Sequence, residues 1–382
     1  MENSTAKAHN IGVDLLRILS MFAIVLLHCC VRSGFLESSP IFSLRYNITS
    51  VILFLCYGAV DLYLLISGYV NIKAKYKLSR ILFLWLEVVF YNLLITISFK
   101  VISQQSFSFR EVMGMFTPLL RHEYWFFTRY TLLFALMPLL NMLANKLTKK
   151  RYGQMLIVMF CLFCIVGTIV KCHADIDLFI LKNGYSTVWF VALYLLGAYI
   201  RLYGIHIKVP NIVWLISYFI FVLLAVFDAI IFPYLTESIF GFKLASGLTS
   251  APYLSLFILL GVLSLLIFFS NLKFKRKQSW VTPVGALTFG VYLIHDNPII
   301  RHYIMEIVLK KLNTYPNALG SVALLLLFAV GVFILCLGID FLRSKIFNCL
   351  KIRELCNKFV CVIGNKIFKR ITPIYKIYFK DT

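Results

Sequence analysis

Apolar stretches of about twenty residues recur along the whole chain, separated by short polar connections. They fall at about 11–31, 48–70, 78–98, 124–143, 153–171, 185–203, 211–231, 251–270, 281–300 and 319–341. Each approaches the roughly 20 residues an α-helix needs to cross a bilayer. The pattern predicts an all-α, polytopic membrane bundle of about ten transmembrane helices, because a lipid-exposed backbone must satisfy its own hydrogen bonds. No polar segment is long enough to form a separate domain. Residues 1–341 therefore read as one integral membrane unit, and 342–382 as a basic amphipathic tail on the cytoplasmic leaflet.

The connections alternate in charge. Lys73, Lys75, Lys77 and Arg80 follow the second span, Lys146, Lys149, Lys150 and Arg151 the fourth, and Lys273, Lys275, Arg276 and Lys277 the eighth. The segment after the tenth holds Arg343, Lys345, Lys351, Arg353, Lys358, Lys366, Lys369, Arg370, Lys376 and Lys380. The intervening connections are poorer in Lys and Arg. By the positive-inside rule both termini lie in the cytoplasm, as an even number of spans requires. The net charge of +22 is then an orientation signal rather than a nucleic-acid footprint, and no nucleic-acid motif is present.

Composition agrees: 61% of the 382 residues are hydrophobic, above the share usual in soluble domains. The ten cysteines lie mostly inside apolar stretches, which argues against a disulfide framework. Cys161 and Cys164 have C-x-x-C spacing but no second ligand pair, so they read as small buried hydrophobes. The first span is read as retained rather than as a cleaved signal peptide, since no small-residue cleavage site follows it.

That first span carries two ionisable residues. In IGVDLLRILSMFAIVLLHCCV, ten uncharged residues separate Arg17 from His28. Eleven helical steps of about 100° make three turns plus about 20°, so both side chains share one face about 16 Å apart along the axis. Ionisable groups inside a membrane are costly and mark functional paths. The stated topology puts Arg17 near the cytoplasmic edge and His28 in the outer half. The ninth span runs the same way and ends in Tyr292-Leu-Ile-His295-Asp296, which gives His295 a similar depth. Asp14, Asp61, Ser67, Glu87, Glu123, Arg129, Asp228 and Arg301 also fall in or near the membrane. A histidine can take a proton from a hydroxyl or briefly carry an acyl group, and an arginine can grip a phosphorylated donor. The same residues equally allow a proton-coupled transporter.

Five segments, in order, resemble the membrane acyltransferase-3 family of polysaccharide O-acetylating proteins. They are the Arg17-x10-His28 element, AVDLYLLISGY at 59–69, Lys77-Leu-Ser-Arg80-Ile81, His122-Glu-Tyr-Trp125-Phe-Phe through Pro138-Leu-Leu-Asn141, and Tyr292-Leu-Ile-His295. Asp61 and Tyr63 depart from the family's usual residues before Ser-Gly, and Lys77 replaces an arginine. The resemblance is to the family's stand-alone members, which do without the esterase-like extracytoplasmic domain that others carry.

The resemblance implies an O-acyltransferase in the bacterial cell (inner) membrane. It would move an acetyl or succinyl group from cytosolic acyl-CoA to a hydroxyl of a surface glycan or its lipid-linked precursor. Its partners would be acyl-CoA, that glycan and membrane lipids. Acetyl-CoA would be a substrate, with no permanently bound cofactor and no metal. It assigns chemistry to His28, Arg17 and His295, donor binding to Arg17, Lys77 and Arg80, and acceptor contacts to Glu123, Trp125 and Asp61. The alternatives are a glycan or lipid transporter or flippase that uses the buried charges as a proton relay, and a non-catalytic subunit of a glycan-assembly complex.

Overall fold

A computed structural model describes residues 10–121, 123–205, 207–241, 252–274 and 280–367. His122, Lys275, Arg276, Lys277 and the tail beyond 367 lie outside the described residues. Among those described, all regular structure is helical. Twelve helices carry the architecture: α1 Ile11–Ser33, α2 Leu44–Tyr57, α3 Ala59–Asn71, α4 Ser79–Ile102, α5 Trp125–Lys146, α6 Lys149–Phe160, α7 Thr187–Tyr203, α8 Asn211–Val226, α9 Leu256–Ser270, α10 Val281–His295, α11 Ala318–Cys349 and α12 Ile352–Ile367.

Among the described residues, seven helical stretches are long and apolar enough to cross a membrane. Three shorter apolar helices, Thr187–Tyr203, Leu256–Ser270 and Val281–His295, stand where three further spans are expected. The chain is an integral membrane protein. Of the apolar windows, 67% of the one in Ile11–Ser38 and 72% of the one in Leu44–Asn71 is buried, against 11% in Asn211–Phe240. The first two spans thus form the middle of the bundle, and α8 faces outward.

Side-chain caps begin several helices. The Asn10 side chain accepts from Val13 N–H at α1, Ser186 does the same for Trp189 at α7, and Asn317 for Gly320 at α11. Gly34, at φ +70°, ends α1 in the left-handed conformation that glycine adopts without a Cβ penalty.

Small residues bring the central helices together. A Cβ on Gly68 of α3 would collide with the Tyr194 carbonyl of α7, and one on Gly197 of α7 with the Leu65 carbonyl of α3. The two helices therefore pack backbone to backbone, as membrane helices with small interface residues do. Gly12 gives α1 the same closeness to Phe269 at the end of α9. Helices α1 and α10 are parallel. Thr282 donates to Asp14 Oδ2 at 2.7 Å near their N-terminal ends, and His28 meets His295 near their C-terminal ends.

Three spans differ from the sequence reading. The expected 48–70 span is two helices broken at Gly58, where a Cβ would strike Val262. The expected 153–171 span contains a π-turn at Cys161–Val166, which leaves Cys164 buried and Cys161 exposed. The last span runs on to Cys349.

Arg343, assigned above to the basic amphipathic tail, is buried in that last helix. Its Nε and Nη2 donate to Asp340 at 2.9 and 2.8 Å, and its Nη1 lies 2.7 Å from Glu87 Oε1. Tyr91 donates to Asp340 at 2.7 Å. The helix continues because its buried cation is matched by carboxylates, without which burial would cost several kcal/mol. Helix α12 then packs Cys356 and Val360 inward while Arg353 stacks over Phe83 of α4.

Candidate active site

A cavity of about 620 Å³ opens along one face of α1. That helix contributes Arg17, Met21, Ile24, Leu27, His28, Val31 and Arg32. The spacing follows a single helical stripe over fifteen steps, about 22 Å. The face-sharing of Arg17 and His28 thus becomes a shared cavity, with a mostly apolar wall between them.

The Arg17 end is polar. The guanidinium pairs with Asp14 at 3.3 Å, and the Tyr63 hydroxyl donates to the Arg17 carbonyl at 3.2 Å. The Ser67 and Tyr130 hydroxyls are 3.2 Å apart, and Asn71 Nδ2 donates to Ser67 Oγ at 3.2 Å. Tyr63, Ser67, Asn71 and Tyr130 all line the cavity. Arg80 is exposed and reaches Asn71 Oδ1 at 3.4 Å, so it borders this end from outside. Lys77 is exposed and is not on the cavity wall.

The His28 end is built on the C-terminus of α10. His28 Nδ1 and His295 Nε2 are 3.0 Å apart, and His295 Nδ1 is 2.7 Å from the Val291 carbonyl. A carbonyl can only accept, so His295 Nδ1 carries its proton and, in the neutral ring, Nε2 accepts. His28 Nδ1–H therefore donates to His295, and His28 Nε2 is left with a free lone pair. Asp296 Oδ1 lies 3.7 Å from His28 Nδ1. Asp296 is held by Arg32 at 2.8 Å and approached by Arg301 at 3.7 Å. The turn is braced by Tyr124, which donates to the Leu293 carbonyl at 3.0 Å and accepts from Asn297 at 2.8 Å. A base oriented by a second ring, with a carboxylate alongside, is the arrangement that general-base and nucleophilic catalysis require.

An aromatic wall completes this end. The rings of Trp125 and Tyr185 are 4.5 Å apart and those of Tyr185 and Tyr253 5.2 Å, and all three line the cavity.

Three residues expected at the reacting surface stand elsewhere. His295 is fully buried behind His28 and does not line the cavity. Its Nε2 meets the His28 ring instead of the cavity. Asp61 is not on the wall either. Val60, Tyr63 and Ser67 share the cavity-facing stripe of α3, and Asp61 points away from it, where its Oδ1 accepts from Trp189 Nε1 at 3.0 Å. Glu123 accepts from Asn92 at 2.8 Å and is likewise absent from the wall, although Trp125 two residues later is on it.

Arg32 went unread in the sequence. It follows His28 by four residues and so shares its helical face, a signal present in the periodicity. Tyr130, Tyr185 and Tyr253 carried no such signal, because only packing brings their helices to α1. Among the described residues, no three His, Cys, Asp or Glu side chains converge as metal ligands.

No curated protein matches the chain, and neither does any solved structure. A family model does, that of the acyltransferase-3 family, described as an acyltransferase domain; it covers residues 10–341 and so takes in both ends of the cavity. The chain belongs to the membrane acyltransferase-3 family.

Proposed function

We propose that this acyltransferase moves an acetyl or succinyl group from cytosolic acyl-CoA to a hydroxyl of a surface glycan or its lipid-linked precursor, in a bacterial cell membrane. The observation that carries the reading is the single cavity joining Arg17 to His28. The distance along α1, about 16 Å, suits an extended donor arm. The donor's phosphates are held near Arg17, with Arg80 and Lys77 beyond, because charge-assisted hydrogen bonds from guanidinium are the strong polar contacts to phosphate. The thioester then reaches His28.

His28 Nε2 removes the acceptor hydroxyl's proton as that oxygen attacks the thioester carbonyl. The carbon–sulfur bond breaks, and the proton passes from His28 to the departing thiolate. Asp296 faces the imidazolium at 3.7 Å from Nδ1, while His295 holds the ring. Trp125, Tyr185 and Tyr253 offer amphipathic faces to a sugar ring.

The test is His28→Ala in cells, at matched membrane abundance. Base-labile ester on surface glycans falls by about 10²- to 10⁴-fold, the range for loss of a general base. Wild-type ester levels in that variant would overturn the reading.

A further inference from the structure

Beyond the donor and the base, the His28 end of the cavity holds more cationic hydrogen-bonding capacity than the protein uses. Its ion pairs join two guanidiniums, Arg32 and Arg301, to the one carboxylate of Asp296. Arg32 Nη2 takes the carboxylate at 2.8 Å, but Nη1 is buried with no hydrogen-bond partner. Arg301 Nε is likewise unpartnered, although Arg301 is not on the cavity wall and its Nη2 lies 3.4 Å from His302 Nε2. Tyr292, 5% exposed and on the same cavity wall, has no acceptor for its hydroxyl proton. At the opposite end Arg17 pairs with Asp14, and Arg80 borders the cavity from outside. A buried charged donor left unmade is costly, more so than a neutral one. Arg32 itself lines the cavity and keeps 16% of its side chain exposed, so its guanidinium is within reach of a group that enters there.

We propose that Arg32 recognises an anionic group on the acceptor, so that the preferred acceptor is an acidic sugar whose carboxylate or phosphate sits one helical turn beyond His28. The proposal rests on the acyl-transfer reading above and narrows it. Arg32 is placed for this by α1 itself: four residues after His28, it shares that face and lines the cavity. Asp296, in contact with Arg32 and 3.7 Å from His28 Nδ1, fixes the guanidinium beside the base. Binding the acid there brings a neighbouring hydroxyl of the same ring to Nε2. The reaction at that hydroxyl is unchanged: the oxygen–acyl bond forms, the carbon–sulfur bond breaks, and one proton passes through His28 to the thiolate.

The experiment uses the full-length protein in nanodiscs, acetyl-CoA, and two acceptors that differ only in a carboxylate, methyl glucoside and methyl glucuronide. Thiol release reports transfer, and isothermal titration calorimetry reports acceptor binding independently. The glucuronide has a KM lower by about tenfold or more, the range for a charge-assisted hydrogen bond. In Arg32→Gln that preference falls towards unity while the KM for acetyl-CoA is unchanged, and Arg32→Lys lies between. Equal KM values for the two sugars in the wild type would overturn the proposal, and so would glucose 6-phosphate and the glucuronide both binding no better than the neutral sugar. A rise in the acetyl-CoA KM of Arg32→Gln with the sugar preference intact would also overturn it, by making the anion the donor's phosphate. An equal fall in kcat for both sugars with the KM preference intact would do the same, by confining Arg32 to holding Asp296 beside the base. If Arg32→Gln does not fold, the wild-type pair and Arg32→Lys decide. Thiol release without sugar discrimination leaves acyl transfer standing and removes this proposal. Calorimetric discrimination without thiol release supports the acidic acceptor and removes the acyl-CoA donor.

Discussion

His28 has one nitrogen committed and one free. Nδ1 is bound to His295, and the Val291 carbonyl fixes which way the shared proton points. His295→Ala leaves His28 free to rotate and to change tautomer, so kcat falls by about ten- to a hundredfold while the donor KM holds. His295→Gln keeps an acceptor for Nδ1–H and restores part of the rate. Steady-state kinetics of the two variants separates positioning from bulk packing, since a packing role would give no rescue by Gln. Arg17 is tested by conservative replacement. Arg17→Lys retains the charge and loses the planar fork, so the acyl-CoA KM rises by about tenfold at unchanged membrane abundance. Lysine working as well as arginine would reduce Arg17 to a point charge.

Among the elements, α3 and α7 are the pair on which the cavity depends. Tyr63, Ser67 and Asn71 reach the cavity from α3, whose position is set by glycine contacts with α7. Gly197→Val drives a side chain into the Leu65 carbonyl and must separate the helices, at about 1–3 kcal/mol or more. Its thermal midpoint in detergent falls, and activity falls with it because the Ser67 end of the cavity moves. An unchanged midpoint would mean that the two helices have slack the packing does not show. The break at Gly58 and the π-turns at Cys161–Val166, Phe227–Ile231 and Arg301–Met305 re-phase their helices relative to a simple hydropathy stripe. The last of these starts at Arg301, beside Asp296, so it also sets the geometry of the site.

At the scale of the whole molecule the reading is directional: donor from the cytoplasm, acceptor from the other side. It requires the Arg17 end to face the cytoplasm, as the Lys and Arg distribution expects. Single cysteines placed at Gln104 and Lys149, in a background with the ten natural cysteines replaced, give opposite results with an impermeant maleimide on intact cells. Gln104→Cys labels and Lys149→Cys does not. Both positions are exposed in the structure, so burial does not confuse the result. The reverse pattern would invert the bundle and with it the assignment of donor and acceptor ends.

Hydropathy was enough to recognise a membrane helical bundle, because twenty apolar residues leave the backbone no other way to satisfy itself in lipid. Helical phase alone placed Arg17 and His28 on one face, and it held Arg32 on that face as well. Phase could not say what that face meets. His295 and Asp61 are both polar residues in apolar helices, and nothing in their spacing separates a ring that orients the base from a carboxylate turned toward Trp189. Charge counting likewise put Arg343 in a basic amphipathic tail, since the sequence does not display the partners Glu87 and Asp340 that let it be buried. Local periodicity fixes which side chains of one helix travel together. Which of them face a cavity, a carboxylate or lipid is decided by contacts between segments hundreds of residues apart, as His28 and His295 are, and those exist only once the helices have packed.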